Sequence, residues 1–196
     1  MAPRSGLLSH GSFLSLSSTR IDDTLPSRRG AMLARRVLCQ TVRPPPKDVN
    51  VDNGVEVKPG ACKSEAYAAH RSRGGACAGC HAVIDGLGFG FERLDGQGRY
   101  REAEPQNAAC AIDGAGSFAG KPFSGPAGLV FGQLETVSRC AVTQLARFGF
   151  RDRAVPPQYL ARFHQAFVDS GYDFATLMRT VALDPRFKVR FDQEAP

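Results

Sequence analysis

Hydrophobic positions recur at helical spacing through the second half of the chain. Leu134, Val137, Ala141, Leu145 and Phe148 predict a long helix with one buried stripe, led into by the run from Lys121 to Pro126. Cys140 lies beside that stripe. Pro156 and Pro157 start another helix, with Tyr159, Leu160, Phe163 and Phe167 on its apolar face. A last helix runs from about Phe174 to Leu183, with Phe174, Leu177, Met178 and Val181 facing inward.

The first half is patterned more weakly. Pro26 to Leu38 reads as a helix with Ser27 as its start signal. Arg28, Arg29, Arg35 and Arg36 share one face of it, and Ala31, Met32, Ala34, Val37 and Leu38 supply apolar surface between them. Residues 62–73 predict a short helix ending at Gly74-Gly75, followed by another from Ala76 to about Ile84. Gly6 to Leu14 mixes apolar positions with Ser and Gly and reads as a loop leading to a short extended piece. Arg99-Tyr100-Arg101, Ala111-Ile112-Asp113 and Ser117-Phe118 are β-like but broken by glycines, which allows at most a small sheet or hairpin.

Arg43-Pro44-Pro45-Pro46-Lys47 favours polyproline geometry and marks the clearest internal boundary. The organisation expected is an N-terminal arm with a basic helix (1–42), a proline-rich linker (43–60), a central segment (61–105) and a C-terminal helical module (106–196). The 196 residues, 42% hydrophobic with 13 Phe, suffice for one ordinary domain with or without a tail. No apolar run approaches the about eighteen residues of a membrane span. The net charge of +6 is compatible with an acidic partner, though a solvated basic face is its usual meaning. Nucleic-acid binding would need interleaved aromatics or a recognised motif, and neither occurs.

The central segment holds the chemistry. Ala76-Cys77-Ala78-Gly79-Cys80-His81 contains a C-x-x-C-H, whose two thiols stand one helical turn apart and can add across the two vinyl groups of a haem. His81 then reaches the iron from the same face, and the small Ala78 and Gly79 let a porphyrin edge lie close. The competing readings are half of a zinc site or a redox dithiol. Zinc would need a second close-spaced ligand pair, which Cys62, Cys110 and Cys140 do not form. A dithiol would want a βαβ setting, and the flanks here are glycine-rich.

The glycines from Gly86 to Gly98 suggest a permissive path around a flat ligand. Phe89 and Phe91 suit either the porphyrin or the core. Arg99 and Arg101 suit either propionates or pairing with Glu92 and Asp95. Cys39, Cys62, Cys110 and Cys140 allow two disulfides in three connectivities. Haem attachment and disulfides both belong outside the cytoplasm. Met1 to Gly6 shows no charged n-region followed by an apolar one. Either the protein is cytoplasmic and the haem reading fails, or this chain is the C-terminal part of a longer periplasmic or otherwise extracytoplasmic protein with its export signal upstream; the second is the expectation.

His70-Arg71, the Cys77–His81 motif, Ile84-Asp85, Gly88-Phe89, Glu92, Asp95 and Gly98-Arg99-Tyr100-Arg101 together resemble one family. It is the C-terminal region of the large planctomycete- and myxobacterial-type cytochrome-c-like proteins, known mainly as adjoining domains of unknown function. The pattern there runs roughly H-R, C-x-x-C-H, I-D-P-x-G-F-x-x-E, then F-D-x-x-G-x-Y-R. Gly6 to Phe13 is similar to its leading motif, and Arg29 to Cys39 with Pro44–Pro46 to its basic helix and linker. Ile112-Asp113, Gly116, Cys140 and Asp184-Pro185-Arg186-Phe187 resemble its second module. Gly86 departs from the family's proline, implying a looser turn, and Phe148 to Arg151 only approximates its Gly-Arg helix ending. The resemblance implies a mainly α fold: a cytochrome-c-like haem segment plus a C-terminal helical module, with a small irregular β segment.

Three functions follow. The first is a c-type haem electron-transfer module with one covalent haem c, bound by Cys77 and Cys80 with His81 on the metal, serving a redox partner protein or upstream modules. The second is a haem enzyme with an open distal site, for which no distal histidine–arginine pair can be assigned. The third is a haem-free structural or interaction domain in which Cys77 and Cys80 form a disulfide or hold zinc. For the second axial ligand His10 is the first choice, within the family's leading motif. Met178 reads as core, Met32 sits on the arginine-rich helix, His164 reads as an edge histidine, and His70 suits the haem edge. A cofactor-free structure should show an apolar cleft beside Cys77, Cys80 and His81.

Overall fold

The computed structural model of the chain describes residues 6–17, 23–44, 55–72 and 75–188, the side chains of 75–77 excepted. The proline run at 45–46 and most of the predicted linker therefore lie outside the described residues. The described part is mainly helical with two small antiparallel sheets, as the patterning predicts. No described helix is long and apolar enough to cross a membrane. The chain divides into two compact units, Met1–Arg35 with Gln40–Gln133, and Arg36–Cys39 with Leu134–Pro196. Residues 106–133, grouped by the sequence reading with the C-terminal helices, pack in the first unit.

In the first unit, a 3-10 turn at Gly6–Ser9 leads into α1 (Gly11–Ser15), where the sequence suggests loop and extended chain. Short hydroxyl bonds explain the difference. Ser9, Ser15 and Ser17 each donate to a carbonyl three residues back, and His10 Nδ1 caps α1 by accepting the Ser12 N–H at 3.3 Å. Next come α2 (Pro26–Arg36), α3 (Lys63–Ser72) and α4 (Gly75–Phe89). Proline is well placed at the first position of α2, since its missing N–H would be unpartnered there anyway.

α4 continues to Phe89, past the Ile84 end that the glycine run suggested. Those glycines serve a helix crossing. A Cβ on Gly30 would lie 1.6 Å from the Ile84 carbonyl oxygen, and one on Gly88 would lie 1.9 Å from that of Pro26. The backbones of α2 and α4 thus touch, which offsets the about 1 kcal/mol that glycine costs inside a helix. Gly86, expected at a loosened turn, is likewise inside α4, against Ser117.

Strands β1 (Ala103–Glu104) and β2 (Asn107–Ala111) pair antiparallel, as do β3 (Ala115–Phe118) and β4 (Lys121–Ser124). Ala119 and Gly120 turn the second hairpin with φ of 50° and 74°, the left-handed pair that a two-residue hairpin needs. Of Arg99-Tyr100-Arg101 only Tyr100 makes a bridge, to Leu94. α5 (Gly125–Gly132) follows β4 directly. Cys62 and Cys110 form a disulfide joining the start of α3 to β2. Leu14, Leu33, Tyr67, Leu87 and Phe91 are buried in this unit.

In the second unit α6 (Leu134–Phe150), α7 (Pro157–Asp169) and α8 (Phe174–Ala182) enclose Val142, Ala146, Phe150, Val155, Phe163, Phe167, Leu177 and Val181. The α7 and α8 faces match the predicted stripes at Phe163, Phe167, Leu177 and Val181. The α6 face does not. Its buried row is Ser138, Val142, Ala146 and Phe150, while Ala141 and Leu145 flank it and Phe148 is 82% exposed. Two adjacent four-spaced rows are both apolar here, so spacing alone cannot rank them, and packing against α7 and α8 selects. Met178 and Phe174, expected inside, are more than half exposed for the same rotational reason. Cys39 and Cys140 form the second disulfide.

Candidate functional site

The first turn of α2, the last turn of α3 and the middle of α4 converge on one imidazole. Asp85 stands four positions after His81 on α4, the spacing that puts two side chains on one helix face. His81 Nδ1 lies 3.0 Å from Asp85 Oδ1. The Ser27 hydroxyl from α2 donates to the same oxygen at 2.5 Å and stands 3.2 Å from His81 Nδ1. Arg71 from α3 reaches the other oxygen, Oδ2, at 3.0 Å. Asp85 has no exposed side-chain surface, and His81 keeps about a fifth of its own. The His70 ring packs edge-on to the His81 ring, with centroids 4.6 Å apart.

A neutral imidazole has one N–H and one lone pair, and the partner of the first fixes the position of the second. With Nδ1–H given to a carboxylate, Nε2 of His81 is the nitrogen left to bind a metal, the arrangement usual for metal-bound histidines. Cys80 precedes it on α4 as an exposed free thiol with no disulfide. Cys77 stands one turn earlier on the same helix, and its side chain lies outside the described residues. A Cβ on Gly79 would meet nothing within 4 Å, so the space beside the motif is open. Thiol, imidazole and open flank fit a covalently attached haem.

The predicted apolar cleft is not what surrounds the motif. Gly79, Cys80, Ala82 and Val83 are exposed. Two cavities in this unit, of about 500 and 80 Å³, are lined by other residues, among them Lys58, Tyr67 and Gln106 in the larger and Phe89 and Asp113 in the smaller. Neither Cys80 nor His81 lines either cavity. Among the described residues no group of three or more His, Cys, Asp or Glu is arranged to hold a metal ion.

Other candidates are placed as follows. His10 is exposed at the start of α1, with its Nδ1 engaged by Ser12. The structure brings it to the turn at Gln97-Gly98, where a Cβ on Gly11 would lie 2.4 Å from the Gln97 oxygen, and gives it no described contact with His81. Met32 is half-buried on α2. Met178 and His164 belong to the second unit, where His164 Nε2 is 2.9 Å from the Ser138 hydroxyl. Burial lowers the His164 pKa, Arg139 lowers it further, and Glu135 works the other way.

The arginines resolve in favour of internal pairing. Arg29, read as part of a basic face, is fully buried, and its Nη1 donates to the carbonyls of Phe91 (3.0 Å) and Leu94 (2.7 Å) and lies 3.2 Å from Glu92 Oε1. Burial pulls its guanidinium below the ordinary pKa, against the pull of Glu92. Arg101 Nη2 is 2.6 Å from Glu92 Oε2, which Thr24 also donates to. Arg99 pairs with Asp95 at 2.6 Å. Burial works to raise the Asp95 pKa, but bonds from the Arg99 and Gln97 backbone and the Arg99 side chain outweigh it and leave it lowered. Phe91 enters the core, and Phe89 packs edge-on to Tyr67 at 5.4 Å.

Sequence reasoning missed the roles of Ser27, Arg71 and Asp85. The four-residue step from His81 to Asp85 was a usable signal; the partners from α2 and α3 depend on tertiary packing. A protein-family model, described as PSCyt3, a protein of unknown function (DUF1588), matches residues 4–104. No curated protein and no solved structure matches the chain.

Proposed function

Since the chain belongs to the PSCyt3 family of unknown function, whose name hints at a cytochrome, we propose that it is a c-type haem-carrying electron-transfer module. The observation that carries the reading is the His81 imidazole, held through Nδ1 by a buried carboxylate one residue from the free Cys80 thiol. The sulfurs of Cys77 and Cys80 would hold the group through thioether bonds to its vinyl carbons, each addition moving the thiol hydrogen to the neighbouring carbon with no oxidant or reductant consumed. His81 Nε2 would be the protein ligand to the metal. The bound group would supply a one-electron couple, and this chain positions it for a redox partner protein or for other modules of a longer polypeptide.

The two disulfides support an extracytoplasmic setting, where such bonds persist and haem is attached to C-x-x-C-H. Expression with export in a strain competent for haem attachment tests the proposal through the visible spectrum. Sharp c-type bands that survive denaturation are expected, and a colourless product refutes the reading. Carbon monoxide added to the reduced, coloured protein then reports whether the face opposite His81 is open. An unchanged spectrum supports the electron-transfer reading, and a bound adduct supports the enzyme instead.

A further inference from the structure

We propose that Asp85 is the positioning residue of the axial histidine and sets how strongly His81 Nε2 donates, with Arg71 acting on it in the opposite sense. This rests on the haem reading above. Asp85 is anchored from three helices. One oxygen is shared by His81 Nδ1 at 3.0 Å and the Ser27 hydroxyl at 2.5 Å, and the other takes Arg71 Nη1 at 3.0 Å. Its side chain has 0% exposure, so water does not compete for those positions. The His70 ring at 4.6 Å restrains the imidazole from the side. Packing alone would be satisfied by a neutral acceptor for Nδ1–H. A carboxylate instead draws that proton toward itself and makes Nε2 a more basic ligand.

A more basic ligand favours the ferric over the ferrous state, so Asp85 lowers the potential of the iron. Arg71 withdraws part of the carboxylate's charge and raises it. The two substitutions Asp85→Asn and Arg71→Gln therefore have opposite signs, which a loosened helix contact would not produce.

The test uses the full chain in two states. In haem-free protein, nitrogen-15 spectra of His81 read the tautomer directly. Nδ1–H is expected, with the preference lost in Asp85→Ala; Nε2–H in the unsubstituted protein overturns the proposal. In haem-loaded protein, Asp85→Asn is expected to shift the reduced-to-oxidised ratio at fixed potential about tenfold toward reduced, about 59 mV for one electron. Arg71→Gln shifts it the other way, and Arg71→Lys restores most of the original value. Coloured, folded variants whose potentials do not move, or move in the same direction, overturn the proposal. If Asp85→Asn fails to fold, Arg71→Gln decides alone, since Arg71 is 33% exposed and an unmoved potential sinks the idea. A colourless unsubstituted protein refutes the haem reading itself, and the tautomer still decides whether Asp85 positions His81.

Discussion

The two units bury different chemistry. The first encloses Thr24, Arg29, Lys63, Asp85, Glu92 and Asp95, bonded to one another or to backbone carbonyls, and its helices α2 and α4 meet through glycines. The second encloses mostly aromatic and aliphatic side chains, with Ser138, His164 and Asp184 as its buried polar groups. Apolar packing stabilises without fixing direction. Buried ion pairs add little net stability, because desolvation offsets their attraction, but each group must sit at one angle or be left unpartnered. The unit that carries the candidate chemistry is the one whose interior is held by directional bonds. His81 inherits its orientation from that kind of interior.

Arg29→Met breaks the contrast most severely. It removes the donor to Glu92 Oε1 and to the carbonyls of Phe91 and Leu94 inside the core, and a loss of about 3–5 kcal/mol is expected. Hydrogen exchange should show α2 and α4 losing protection while α6, α7 and α8 keep theirs; equal loss in both units contradicts separate interiors. Phe163→Ala is the mirror experiment, emptying the second core at a cost of about 3–5 kcal/mol, with the loss of protection confined to α6–α8. Replacing Cys62 and Cys110 together by Ala releases a link spanning 48 residues. About 4 kcal/mol of denaturant stability should go, and the two alkyl groups that the first unit takes up only after reduction should vanish.

Acid sharpens the comparison from the other side. The folded His164 resists protonation, mainly through burial. The unfolded chain takes up that proton near about pH 6.5, so the second unit's stability holds above that value and falls as pH drops below it. His164→Gln should flatten the decline in urea midpoints measured between about pH 7.5 and about pH 5. The smallest effect belongs to Phe148→Ser. Its side chain is 82% exposed, so a change within about 0.5 kcal/mol is expected, whereas a large loss would restore the stripe that spacing alone suggested.

What the sequence discloses follows from what each signal depends on. Helices α2, α3, α7 and α8 are legible because their start signals and spacings are local. α6 is legible as a helix but not in its rotation, since two apolar rows compete there. The extent of α4 and the second hairpin are blurred by glycines whose purpose, close backbone approach, needs a neighbour that linear order does not reveal. Gly88 reads as part of a glycine-rich path, and nothing marks Gly30 within its helix, until the Pro26 and Ile84 carbonyls are seen against them. Four cysteines allow two disulfides, and only space chooses Cys39–Cys140 with Cys62–Cys110.

The site divides in the same way. Cys80 and His81 are readable from five consecutive residues, because the chemistry demands that spacing. The holders Ser27, Arg71 and Asp85 come from three helices, and only the last could be paired with His81 by counting along α4. Arg29 illustrates the limit most clearly. Arginines one heptad apart read as a solvated face, yet Arg29 among them is the largest of the fully buried side chains among the described residues.

The intact mass of the mature protein, exported and matured alongside a Cys77→Ala/Cys80→Ala variant, tests the central claim most directly. The account predicts that the unsubstituted chain is heavier than its sequence by one haem that denaturation does not remove, and that the variant carries none. A mass equal to the polypeptide with its disulfides, in material from a competent strain, contradicts it.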